Sequence, residues 1–246
     1  MGESYQYKKR MSEEHFRAAA LDQPEETTPR AITAPINTFA AKLGQEPARY
    51  VPVVNDAMGL YGWCSDGVLE KVKHDGGCIR FGWTIWEWPR VLLTGEFHAV
   101  WVNLTGDLID ITPKPHREDR IVFVPDPSYS ADFDFDKRPL NKRQRLYEPE
   151  DPTAEIAAQI ARMKPAQRVY ERKRATRAGV TLEQSLRNKR PHEQMVRIID
   201  DFIRVCDEYD KEVDATPGMG YIQATPKLRG LLMEKLRLQE QLSLAR

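Results

Sequence analysis

FHAVWVNLTGDLIDIT, residues 97–112, sets two runs rich in Val, Ile, Leu, Phe and Trp on either side of Thr105-Gly106. β-branched and aromatic residues around a short glycine-bearing turn spell an antiparallel β-hairpin. Working outward, further strand-like runs occupy Cys78–Ile85, Val91–Leu93 and Arg120–Val124, separated by Gly, Pro, Asn and Asp. Ahead of all of them, Ser65–Lys73 places Val68, Leu69 and Val72 at the spacing of a short amphipathic helix, and Asp75-Gly76-Gly77 stops it. A helix followed by antiparallel strands predicts an α+β domain.

The surrounding chain has different textures. Residues 1–48 read as an N-terminal arm, with a short helix capped by Ser12 and running through Leu21, then a Pro/Thr/charge-rich stretch without apolar period. Residues 49–127 form the expected domain, and the charged, Pro-bearing segment 128–150 reads as a linker. Residues 151–246 turn helical. Asp151-Pro152 starts one helix and Thr181-Leu-Glu-Gln184 has the form of a capping box. An apolar stripe runs from Met195 through Ile199, Phe202 and Cys206 to Tyr209. After the loop PGMGYIQA, Thr225-Pro226 opens a last helix bearing Leu228, Leu231, Leu232 and Leu236.

Composition narrows the function classes. The 37 Lys and Arg balance 37 Asp and Glu, so no net charge steers the whole molecule to nucleic acid or an anionic surface. No apolar run approaches the roughly 20 residues of a membrane span. Three cysteines do not make a secreted disulfide framework, and a cytoplasmic location is expected. All five tryptophans lie between Trp63 and Trp101, so the expected domain is also the unusual part of the chain.

Within it, Cys64 stands where the short helix begins. Unpaired N–H groups and the positive dipole end at a helix N-terminus favour a thiolate. A nucleophilic cysteine also needs a histidine in reach and a third group to orient it. The hairpin offers His98 on one strand and Asp110 on its partner, close enough to meet across the ladder. Asp107 competes for the third role but belongs to the turn. Trp63 and Trp86 are candidate walls of a substrate cleft, and Asn55 a candidate oxyanion donor beside the Cys64 N–H. Glu87 and Glu96 lie close in sequence to the tryptophans.

This ordered set resembles the papain-like cysteine enzymes, the group that spans NlpC/P60 amidases and transglutaminase-like proteins. Cys64-Ser65-Asp66-Gly67-Val68 is similar to the Asp-Cys-Ser-Gly-hydrophobic motif expanded by one residue, with Trp63 where that motif carries Asp. HAVWVNLTGDLIDITP is similar to a His-Ala-aromatic strand, a glycine turn and an Asp-Pro-Thr, although Ile-Thr-Pro follows Asp110. The resemblance covers residues 55–113. It implies a papain-like helix on an antiparallel sheet, with Cys64 as nucleophile, His98 as general base and acid, and Asp110 as the orienting residue.

The function expected from this is a thiol-dependent amidase, peptidase or acyl transferase acting on a peptide or protein amide, without cofactor. The alternative is an inactive papain-like interaction module that binds a protein partner through its Trp-rich face and C-terminal helices. A basic run from Lys137 to Arg177, with twelve Lys and Arg against five Asp and Glu, raises nucleic-acid contact as a lesser reading. The five histidines are scattered without metal-ligand spacing, so no metal is expected. Cys78 and Cys206 read as packing residues.

Overall fold

The computed structural model describes residues 3–22, 24–148, 151–215 and 225–244. They form an α+β protein that divides into two compact units, one of residues 1–146 with 207–229, the other of residues 147–206 with 230–246.

The first unit is organised around one sheet. Its spine is a long hairpin that the sequence reading does not single out: β2 (Cys78–Trp88) pairs antiparallel with β3 (Leu92–Val102) along their whole length, Gly82 opposite His98. β5 (Arg120–Pro125) lies against β2 on the other side, and β1 (Arg49–Pro52) against β5. Past the turn, where Asn103, Thr105 and Asp107 hydrogen-bond one another, β4 (Leu108–Ile109) pairs with the end of β3. The chain then leaves β3. Asp110 bridges instead to Val53: its N–H donates to Pro52 O, and its carbonyl accepts from the Val54 N–H. First and last strands therefore meet, and the sheet curls into a partly closed barrel. β6 (Lys142–Arg145) caps the other end of β3, pairing with Leu92–Gly95.

Because side chains alternate along a strand, the sheet has two distinct faces. One carries Phe81, Trp83, Ile85, Phe97 and Ala99 and is covered by α2 (Ala34–Leu43) and α3 (Cys64–Asp75). α2 buries Ile36, Phe39, Ala40 and Leu43 there. Each large side chain so buried contributes about 2 kcal/mol. The concave face holds a smaller apolar cluster of Val51, Val100, Ile121 and Phe123 with Trp86 and Leu108 beside it. Gly82 is a requirement of that face. A Cβ there would lie 2.6 Å from the Phe123 ring and 2.3 Å from Val124 O, so only glycine lets the ring settle next to the His98 position.

Several boundaries differ from the sequence expectation. The helix expected after Ser12 is α1 (Glu3–Ala19); Ser12 lies inside it, buried, and its Oγ accepts the Tyr61 N–H at 2.7 Å. Residues 34–43 are not part of a free arm, because their apolar face completes the core. The segment expected to be a linker packs as well: Tyr129, Phe133 and Phe135 gather around Phe97 with ring centroids 4.6 to 5.8 Å away. Val91–Leu93 and the start of the hairpin merge into one long strand. Cys78 is exposed, contrary to the packing role expected of it, whereas Cys206 is buried.

In the second unit α4 (Thr153–Arg162) and α6 (Leu182–Asn188) share a core of Ile156, Met163, Leu182 and Leu186, with α5 (Pro165–Arg177) between them in sequence. Thr181 and Gln184 form the capping box reciprocally. α7 (Pro191–Asp214) buries Ile199, Phe202, Val205 and Cys206, and α8 (Pro226–Leu244) begins with Thr225 Oγ1 accepting the Leu228 N–H. The loop PGMGYIQA lies outside the described residues. The last residues of α7 count with the first unit, where the guanidinium of Arg143 on β6, itself 6% exposed, donates to Asp207 and Asp210 at 2.7 Å each. Among the described residues, no helix is long and apolar enough to cross a membrane.

Candidate functional site

Cys64 is the first residue of α3 and His98 the middle of β3, both within the first unit. α3 packs on the face of Phe81 and Ala99, whereas His98 belongs to the concave face. On the outer side of β3, β4 pairs at Trp101 and Val102 and β6 at Leu92–Gly95, leaving Glu96–Val100 without a strand partner on that side among the described residues. Cys64 acts electrostatically on His98, raising the imidazole. Both are nearly enclosed, 8% and 6% exposed.

Asp110 completes the row. The Trp101–Ile109 pairing, continued by one residue, sets Asp110 opposite Val100, so it reaches His98 diagonally. His98 Nε2 lies 3.2 Å from Asp110 Oδ1, an ion-pair contact slightly off the line of an ideal hydrogen bond. With Nε2 turned to the carboxylate, Nδ1 is the ring nitrogen left to serve a thiol. Asp110 is fully buried, and its Oδ1 also accepts the Thr112 N–H at 2.9 Å. The geometry therefore brings His98 and Asp110 together, and Cys64 acts on the same imidazole.

The electrostatics follow from enclosure and pairing. Burial alone disfavours a charged His98, but Asp110 and then Cys64 outweigh it, and the imidazole is pushed up to about 10. Burial likewise opposes ionisation of Asp110, yet His98 and Lys114 together hold its carboxyl well below the usual carboxylate range. Lys114 is the residue that sequence reading missed. Its Nζ sits 2.7 Å from Asp110 Oδ2, the side chain is 7% exposed, and the Trp86 ring centroid lies 5.8 Å from the ammonium. A lysine between two prolines reads as an exposed loop charge, and only the carboxylate four residues earlier hinted otherwise.

Of the other candidates, Trp86 joins the site through Lys114, and its Nε1–H donates to Glu96 at 2.8 Å. Glu87 is engaged through its backbone with Thr27, and partial burial raises its carboxyl. Trp63 precedes Cys64 and stacks on His15 of α1, ring centroids 5.5 Å apart. α1 touches both flanks of Cys64, since Lys8 also pairs with Asp66 at 2.6 Å and Phe16 meets Tyr61 edge-on. Asn55 is exposed in the loop after β1, and among the described residues no hydrogen bond ties it to the three. Asp107 stays in the turn, held by Asn103 and Thr105. Among the described residues no group of three or more His, Cys, Asp or Glu is placed to hold a metal ion.

No family model matches the chain, and comparison with curated proteins and with solved structures gives no significant match.

Proposed function

We propose that this protein is a thiol-dependent acyl-transfer enzyme, an amidase or peptidase with a papain-like arrangement of its reacting groups. The observation that carries the reading is the enclosed row Cys64–His98–Asp110, in which the imidazole is held from both sides. Cys64 Sγ attacks the amide carbonyl carbon as the thiolate, forming the S–C bond. Oxyanion charge falls toward the first turn of α3, where helix geometry leaves the N–H groups of Cys64 and Ser65 without intrahelical acceptors. As the C–N bond breaks, His98 gives its proton to the departing amine. It then takes a proton from water or an acceptor amine, whose attack on the thioester releases the acyl group and restores the thiolate. Asp110 keeps the ring oriented throughout.

Alkylation by iodoacetamide at pH 6, read by peptide mass mapping, tests this. Cys64 should react faster than exposed Cys78 despite its burial, and His98→Ala should slow Cys64 about 100-fold while leaving Cys78 unchanged, a general-base effect of ordinary size. Faster reaction at Cys78, with no effect of His98→Ala, overturns the reading. The alternative, a papain-like interaction module without turnover, draws support from the enclosure of Cys64 and His98 and from α1 lying against the residues that flank Cys64.

A further inference from the structure

A general acid–base histidine must exist in both protonation states during one turnover. The carboxylate beside it must not be stranded in either. With His98 protonated, Asp110 has a cation 3.2 Å from Oδ1. Once His98 has given its proton to the leaving group, that partner is gone. A fully buried carboxylate left alone is strongly disfavoured: breaking one side of a buried pair leaves an uncompensated charge. The imidazole would then reclaim its proton instead of passing it on.

The second carboxylate oxygen answers this. Oδ2 faces the Lys114 ammonium at 2.7 Å, in a position nearly closed to water. Trp86 lies next to the ammonium and is fixed by its bond to Glu96. We propose that Lys114 is a positioning residue whose charge keeps Asp110 ionised and in place through the half of the cycle in which His98 is neutral. This rests on the reading of Cys64, His98 and Asp110 as the reacting set.

Charge counting supports it. Thiolate, imidazolium, carboxylate and ammonium sum to zero. Thioester, neutral imidazole, carboxylate and ammonium also sum to zero. Without the lysine, both states carry a net negative charge in an enclosed site, and in the second state nothing opposes it. The groups acting on His98 are Cys64 from α3 and Asp110 from beyond β4; those acting on Asp110 are His98 and Lys114. Glu96, two residues along β3, is exposed and bonded to Trp86.

The test is made in a Cys64→Ala background, which mimics loss of the thiolate and makes the result independent of whether Cys64 reacts. His98 is titrated by NMR in Cys64→Ala alone, then with Lys114→Met, Lys114→Gln or Lys114→Arg added. Without the ammonium, Asp110 has only the imidazolium to pair with, so Lys114→Met should raise the His98 midpoint by about one pH unit, a tenfold gain in proton affinity. Lys114→Gln keeps a hydrogen-bond donor without charge and should show the same rise, which also covers the case of a methionine variant that fails to fold. Lys114→Arg should return the midpoint to that of the background. Unchanged midpoints in the Met and Gln variants, or an Arg variant that shifts as they do, overturn the proposal. Slow alkylation of Cys64 in the wild type would instead count against the proposed function alone.

Discussion

The two faces of the curled sheet obey different rules. On the helix face, Phe81, Trp83, Ile85, Phe97 and Ala99 meet α2 and α3 in an apolar layer. On the concave face, among the described residues, Thr84 and Thr94 are as deeply buried yet their hydroxyls have no hydrogen-bond partner, and beside them lies the charged row that begins at His98. Burying a polar group without a partner costs on the order of 1–3 kcal/mol. The faces differ in what they bury: the helix face is largely apolar, although Trp83 Nε1 is buried there without a hydrogen-bond partner among the described residues, whereas the concave face holds the threonine hydroxyls and the charges of His98, Asp110 and Lys114.

The largest effect that would sharpen this contrast is on the helix face. Phe97 has five aromatic neighbours with ring centroids within 6.0 Å, so Phe97→Ala should cost about 3–5 kcal/mol in urea unfolding. A loss below about 1 kcal/mol would mean that this layer is not the main source of stability. On the concave face, Asp110→Asn leaves Lys114 buried without its carboxylate and should cost about 3 kcal/mol. It also has a signature in pH. His98 holds its proton to about 10 when folded, against 6.5 as its ordinary value, so its contribution is full below 6.5 and fades as pH rises through 10. The Asp110 contribution has the opposite sense, present above 3.8 and lost in acid as its lowered folded value is passed. Stability of the wild type should fall between pH 6.5 and 10, and Asp110→Asn should flatten that slope. A slope unaffected by the substitution would remove Asp110 as the group that holds His98 charged.

The smallest change is the most discriminating. Thr84→Val keeps the shape and deletes an unpartnered buried hydroxyl, so it should stabilise the protein by about 1 kcal/mol. A loss of the same size would break the contrast by showing that the hydroxyl is satisfied after all.

Much of this was legible in the sequence, for local reasons. The β3–β4 turn is written in Thr105-Gly106 and its β-branched flanks, although only two residues of β4 pair there, and α3 in the apolar spacing of Val68 and Val72 before Gly76-Gly77. Counting across the ladder put His98 and Asp110 near each other but not in the right register: Asp110 falls two residues off the position opposite His98 and bridges to Val53 instead. What escaped depends on contacts distant in sequence. Gly95 reads as a break between two short strands, yet β3 runs through it because Leu43 and Phe39 of α2 pack where its side chain would be. α1 is polar on average, and much of its seat is made by the Ser12 hydroxyl, a stacked His15 and an ion pair at Lys8, contacts that no apolar pattern records. Lys114 escaped for the same reason, since its burial is decided by Trp86 and Asp110 and not by its neighbours in the chain.

Asp110 serves twice, through its backbone in the bridge to Val53 and through its side chain toward His98. That double use ties the position of the carboxylate to the closure of the sheet. Contacts between residues distant in the chain carry a larger loop-closure cost than local ones and tend to form later. The β2–β3 hairpin can pair on its own, and it already carries His98. The bridge from Asp110 to Val53 forms only when β1 and the end of β4 are drawn together. The backbone that carries the Asp110 carboxylate is thus fixed at the seam where the sheet closes on itself, and the setting of His98 depends on that closure.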